Sequence, residues 1–261
     1  GAVERAVGRR QERLDGVAVL RRADDRDRDG DGDLLVWCVA TRAAQLGARL
    51  AQLDVATLIV DRHERVGDNW RKRYHSLTLH NEICTNHLPY LPFPKTWPVY
   101  IPKDMLANFM EFYAMSMELN VWSRTSFLDG THDATARRWT VRVQRADGSI
   151  RTLRPSQVVM AVGASGVPKV PRIRGLEDFG GQVVHSSRST DDLEVVGKSA
   201  LVVGAGTSAH DIAQDLHLRG AEVTMLQRSS TTVVGLEPAS VRAYAIYRAN
   251  EGVRPIEETD L

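Results

Sequence analysis

The sequence predicts an α/β protein, and three observations carry the prediction. Two strand–helix–strand patterns lie at 34–61 and from about Ser199 to Leu226, and three short strand-like stretches lie between them. The first pattern opens on Leu34-Leu35-Val36-Trp37. It continues through a helix over Leu46–Leu53, with Leu46, Leu50 and Leu53 on one face, and closes on the apolar run Val55–Val60, which ends at Asp61. From Val66 to Tyr100 aromatic, proline and histidine residues crowd together, which favours an ordered but irregular segment. Pro102 precedes a helix whose Leu106, Phe109, Met110, Tyr113 and Met117 repeat at helical spacing; that stripe reads as core packing. The stretches Val121–Phe127, Trp139–Val143 and Ile150–Leu153, the last two joined by Ala146-Asp147-Gly148, read as an antiparallel meander. Gln157–Val162 is a further buried strand, and the glycines and prolines of 163–171 form a connection between domains.

Length and composition bound the function classes. A chain of 261 residues buries a substantial core as one large domain or two smaller ones, and 43% hydrophobic with 26% charged residues is an ordinary balance for a soluble globular protein. The formal net charge of +1 gives no bulk attraction to nucleic acid or to an anionic membrane. No apolar run approaches the roughly 18 residues of a spanning helix. No charged-then-apolar leader follows Gly1, so a secretory signal is not expected, and a fragment is one reading of a chain that starts this way. Cys38 and Cys84 form no CxxC pair, which disfavours a dithiol centre or zinc site and makes a cytoplasmic, reducing compartment the default. His75, His80 and His87 match no metal-ligand spacing. Ten of the thirteen residues from Arg21 to Asp33 are charged, so residues 1–33 are expected to be solvated and disordered.

The strongest signal is the second pattern. Ala200-Leu201-Val202-Val203 runs into Gly204-Ala205-Gly206-Thr207-Ser208-Ala209, which matches GxGxxA. A helix with Ala209, Ile212, Ala213 and Leu216 on its apolar face follows, stops at Gly220, and leads to a strand from Glu222 to Leu226. Gly204 permits the tight turn, Gly206 lets backbone approach a pyrophosphate, and Ala209 lets helix and strand pack closely. The helix N-terminus offers free N–H groups and a partial positive charge to the phosphates. An NAD site commonly places a carboxylate at the end of the second strand, but Gln227-Arg228-Ser229 stands there instead. A guanidinium and a hydroxyl suit the 2′-phosphate of NADP(H), which a carboxylate would repel. A solvated surface arginine is the bland alternative.

These features read as two Rossmann-type, FAD- and NAD(P)-binding units. In such a protein the first unit holds a flavin, and Asp61 stands where a ribose-binding acid belongs. The phosphate turn should lie about 20 residues earlier. Reading the register back places its three glycine positions at about Cys38, Ala40 and Ala43, and none is glycine. Side chains there, with Arg42 inside the turn, hinder both the bend and the approach of a pyrophosphate.

From about Leu46 to Leu236 the residues resemble the class B flavoprotein monooxygenases, which comprise the flavin-containing monooxygenases, their plant auxin-forming relatives and the Baeyer–Villiger enzymes. Phe179-Gly180-Gly181-Gln182-Val183-Val184-His185 matches that family's FxGxxxH signature. Gly67-Asp68-Asn69-Trp70-Arg71-Lys72-Arg73-Tyr74 resembles its tryptophan-containing loop. Val158-Val159-Met160-Ala161-Val162-Gly163 resembles its closing flavin-domain strand, with Ala161 and Gly163 near the cofactor. The resemblance implies FAD reduced by NADPH, followed by transfer of one oxygen atom from O2 to a small organic substrate, with no nucleic-acid partner. It also implies that Asp61 holds the adenosine ribose, that Trp70 and Arg73 line the flavin, that His80 or Asn81 lies near its ring, and that His185 organises a domain interface.

By this reading residues 34–165 are the FAD-binding-like domain without its first glycine motif, and 166–261 an incomplete NADP-binding domain. The segment before Leu46 looks replaced, for instance by a shifted reading frame, and the chain stops before the strands that complete the nucleotide domain. The alternative is a non-catalytic NADP-binding protein that has lost its flavin. A flavin disulfide reductase is disfavoured by the missing CxxC.

Overall fold

The computed structural model describes residues 17–20, 34–38, 40–162, 168–235 and 239. In chain order the elements are β1 (Val17–Leu20), β2 (Leu34–Cys38), α1 (Ala40–Gln52), β3 (Thr57–Asp61), the single turn α2 (Asp68–Arg71) and α3 (Lys103–Ser116). β4 (Val121–Trp122), β5 (Ser126–Asp133), β6 (Arg138–Gln144), β7 (Ile150–Leu153) and β8 (Gln157–Ala161) follow, and then β9 (Ser199–Val203), α4 (Thr207–Leu218) and β10 (Glu222–Leu226). The fold is α/β with both parallel and antiparallel sheets. Two compact units divide the chain: Gly1–Asn69 with Ala107–Pro168, and Trp70–Leu106 with Lys169–Leu261. The segment 70–106, which the sequence places in a flavin-like domain, thus groups with the stretch that carries β9, α4 and β10.

In the first unit β2 pairs in parallel with β3 and β8, and β3 in parallel with β4, while β1 runs antiparallel to β2 and β3. β3 shows why a continuous apolar run makes a central strand. Ile59 faces α1, where it packs with buried Ala43 and with Leu46, Leu50 and Val159. Leu58 and Val60 face the other way, onto Val141 and Val143 of β6, with Trp122, Phe127 and Trp139 around them. Both faces of the strand are therefore covered, as a parallel sheet requires. Leu58, Ile59 and Val60 each contribute about 1.5–3 kcal/mol by leaving water.

Two expectations are corrected here. The first helix begins at Ala40, six residues before Leu46, because Ala40, Ala43 and Ala44 are strong helix formers without the large apolar periodicity that marks a helix in sequence. The expected strand Val121–Phe127 is two strands in two sheets: β4 extends the parallel sheet at β3, and β5 begins the antiparallel sheet β5-β6-β7. The chain bends between them because Arg124 has a left-handed φ of 50°, and the Arg124 and Thr125 amides donate to the carbonyls of His63 and Asp61. The expectation of disorder for residues 1–33 lies outside the described residues except at Val17–Leu20, which form β1.

In the second unit β9 and β10 pair in parallel, from Ser199↔Glu222 to Val203↔Leu226. α4 packs on one face through Leu216, with Ile212, Ala200, Val202 and Val223 about it. The helix ends through Gly220, whose φ of 91° only glycine adopts freely, and the amide of Ala221 reaches back to the Leu216 carbonyl. Residues 77–83 run beside 99–103, tied by the amides of Leu79, Ile83 and Lys103 to the carbonyls of Ile101, Val99 and Leu77. Tyr74, Leu88, Phe93 and Ile101 fill that segment's interior. Among the described residues no helix is long and apolar enough to cross a membrane.

Candidate functional site

The bend between β9 and α4 is three residues long, Gly204-Ala205-Gly206, and each glycine has its own cause. Gly204 adopts φ 132°, a conformation that side chains disfavour, and its amide donates to Leu226 O at 2.8 Å, so the bend is locked to the end of β10. A Cβ built there would already touch the Ala209 methyl at 3.9 Å, which accounts for the small residue at the third motif position. Gly206 is different. Its φ is −81°, and a Cβ there would meet nothing within 4 Å beyond its chain neighbours among the described residues. Among these residues nothing else crowds position 206, which leaves the backbone there open to approach. Gly206 is also the N-cap of α4 and makes no side-chain cap, so the first amides of the helix point outward from Thr207 and Ser208. The fit to a pyrophosphate is good: an open cradle, outward amides and the positive end of a twelve-residue helix.

Arg228 and Ser229 follow Gln227 at the end of β10 and are exposed. Thr231 then folds back, its Oγ1 donating to Ala205 O at 3.0 Å, so this segment lies along the glycine turn.

A polar cluster that the sequence reading missed adjoins the turn. Asp211, one helical turn beyond Thr207, accepts hydrogen bonds on the same Oδ2 from Tyr74 Oη at 2.8 Å and from His80 Nε2 at 2.9 Å. Tyr74 is almost wholly buried and also hydrogen-bonds Ser208; burial, then the Asp211 carboxylate, pushes its phenol up to about 12. Ser76 Oγ donates to the Asp211 carbonyl at 3.4 Å. A second anchor lies at Asp191, which meets His75 Nδ1 at 2.6 Å and buried Lys103 Nζ at 3.4 Å. Burial opposes charge on Asp191, but hydrogen bonds from Ser189 and His75 and the Lys103 ammonium outweigh it and hold the carboxyl below its ordinary range. The signal for Asp211 was weak because it sits beside the apolar stripe of α4 and looks solvated there.

The remaining candidates are placed as follows. Asn81 is consumed locally, its Nδ2 donating to Thr85 Oγ1 and Asn86 Oδ1, both at 2.8 Å, so it stitches the 81–86 turn. His185 Nδ1 accepts from the Ser187 amide at 3.2 Å in a tight turn. In the same signature the Phe179 ring lies over Gly181, where a Cβ would come within 2.5 Å of it. Trp70 and Arg73 occupy one turn, the Arg73 amide donating to the Trp70 carbonyl at 3.0 Å. Ala161 ends β8 opposite Cys38 and packs with Ala43 and Ile59. Gly163 lies outside the described residues. His75, His80 and His87 go to three different partners, Asp191, Asp211 and the Phe93 amide.

Among the described residues, the first unit offers no equivalent cradle. β2 ends at Cys38 and α1 begins at Ala40, a one-residue connection against three in the second unit. Ala43 is fully buried against Ile59, and Gly47 lies inside the helix with Ile59 Cδ1 3.2 Å from where its Cβ would be. Asp61 is buried, and its Oδ1 accepts from both the His63 amide at 2.9 Å and His63 Nδ1 at 2.8 Å. An acid stands at the strand end, and the sequence between β2 and Leu46 carries no glycine for a diphosphate turn.

The glycine bend, the parallel strands and the helix that follows form a strand–turn–helix–strand unit of an α/β protein. The family model described as pyridine nucleotide-disulphide oxidoreductase matches residues 45–258, and the chain belongs to that family, on its class B flavin monooxygenase side. It is 30% identical over 214 residues to indole-3-pyruvate monooxygenase YUCCA1 of Oryza sativa subsp. japonica, covering 82% of this chain and 52% of that one. A mutant flavin monooxygenase from Stenotrophomonas maltophilia shares the fold at TM-score 0.65 and 22% identity, over 77% of this chain and 58% of its own. An oxidized steroid monooxygenase bound to NADP does so at TM-score 0.67 and 20% identity, over 82% and 42%. The chain spans about half the length of the curated relatives it matches.

Proposed function

We propose that this chain binds NADP(H) on the Gly204–Ala209 turn and serves as the nucleotide-holding part of an NADPH- and FAD-dependent monooxygenase, one that places an oxygen atom from O2 into a small organic substrate. The observation that carries this reading is Gly206, a glycine uncrowded by the described residues beyond its chain neighbours, at the mouth of a helix whose first amides face outward. On this reading β2-α1-β3 and β9-α4-β10 are two Rossmann-type units. Thr207 and Ser208 donate amides to the diphosphate, and Arg228 with Ser229 meets the 2′-phosphate. Oxygen chemistry in this family belongs to the flavin. The relatives' printed names as monooxygenases, and the NADP bound to one structural neighbour, support the assignment.

A second reading, a non-catalytic NADP-binding protein that has lost its flavin, is favoured by the single-residue connection from Cys38 to Ala40 and by buried Ala43. One preparation separates the two. Protein purified with added FAD is yellow, absorbing near roughly 450 nm, if the monooxygenase reading holds. Colourless protein that binds NADPH in a calorimetric titration supports the second reading. Failure to bind NADPH at all rejects both.

A further inference from the structure

Asp211 poses an electrostatic problem. Resting on the reading that a nucleotide diphosphate sits at the α4 N-terminus, its carboxylate lies one turn, about 6 Å along the axis, from that diphosphate, and like charges at such range oppose binding. The chain answers with two donors on one oxygen, Tyr74 Oη at 2.8 Å and His80 Nε2 at 2.9 Å. A carboxylate oxygen only accepts, so Nε2 carries the hydrogen in that bond. Tyr74 is fixed by burial and bonds Ser208 as well, whereas the His80 side chain is 45% exposed and costs little to alter. Of the other charged groups near this cluster, Arg73 acts on Tyr74 with the opposite sign to Asp211.

We propose that His80 and Tyr74 form a hydrogen-bonding clamp on Asp211, so that His80 tunes NADP(H) affinity by engaging the carboxylate one turn into the helix that would receive the nucleotide. His80 is a positioning residue that acts through the hydrogen bond it donates to Asp211, and it touches no phosphate.

The test is a double-mutant cycle. Wild type, His80→Asn, His80→Lys, Asp211→Asn and the His80→Asn/Asp211→Asn pair are titrated with NADP+ by calorimetry at low and at high salt, with thermal unfolding of each recorded. His80→Asn should weaken binding roughly three- to tenfold at low salt, and less at high salt. His80→Lys should bind like wild type, Asp211→Asn no more weakly than wild type, and the pair within about twofold of Asp211→Asn alone. The smaller loss at high salt is what a merely structural contact would not produce. If His80→Asn binds like wild type, or if it weakens binding equally in the Asp211→Asn background, the clamp is wrong while the nucleotide site stands. If wild type itself shows no saturable NADP+ binding, the site reading fails and the clamp with it.

Discussion

A Gly206→Val variant is expected to fold like the parent chain and to bind NADPH roughly a hundredfold more weakly. Fold and binding separate at this position because the backbone there is ordinary and the space beside it is open: φ is −81° and, among the described residues, nothing beyond its chain neighbours lies within 4 Å of a Cβ. An isopropyl group would occupy the surface over the first amides of α4 and hold a diphosphate away from them. Losing two charge-assisted hydrogen bonds costs about 3 kcal/mol or somewhat more, which is the stated factor. The measurement is a Kd by calorimetry beside a urea unfolding curve. A Gly206→Val protein that unfolds at the parent midpoint but binds as well as wild type would remove the cradle from the account. Gly204→Val is a less discriminating variant. Forcing a side chain into φ 132° costs about 1–3 kcal/mol of stability, so fold and binding would decline together.

Replacing Arg228 with alanine should change nucleotide preference. Arg228 lies two residues past β10, where the proposed nucleotide reading puts the ribose 2′ substituent, and it is exposed, so its removal should leave stability near wild type. NADPH carries a phosphate at that position and NADH does not. We expect Arg228→Ala to weaken NADPH roughly tenfold to a hundredfold and NADH by no more than about twofold, from the loss of one bidentate charge-assisted contact. Parallel Kd measurements with the two nucleotides decide it, and equal losses would contradict a 2′-phosphate role.

The sequence disclosed the parts whose physics is local. GxGxxA after an apolar strand and before a helix needs no tertiary information, because the steric demand at Gly204 and the close contact at Ala209 are made within a few residues of the bend. The buried stripe of Phe109, Met110 and Tyr113 and the fully covered strand at 58–60 follow from periodicity in the same way. What remained hidden depends on partners distant in sequence. Asp211 reads as a solvated helix residue until Tyr74 and His80, more than 130 positions earlier, are brought to it. Lys103 and Asp191 meet across 88 positions. The grouping of 70–106 with the stretch that carries β9, α4 and β10 leaves no trace in composition. The early start of α1 was obscured by alanines, which form helix without marking a face.

The central claim, that the bend at 204–206 receives a dinucleotide diphosphate, is tested most directly by a crystal structure of the chain with NADP+. The account predicts phosphate oxygens within about 3 Å of the Thr207 and Ser208 amides and the 2′-phosphate beside Arg228. A nucleotide bound elsewhere on the protein, with a side chain or backbone closing the space over Gly206, would contradict it.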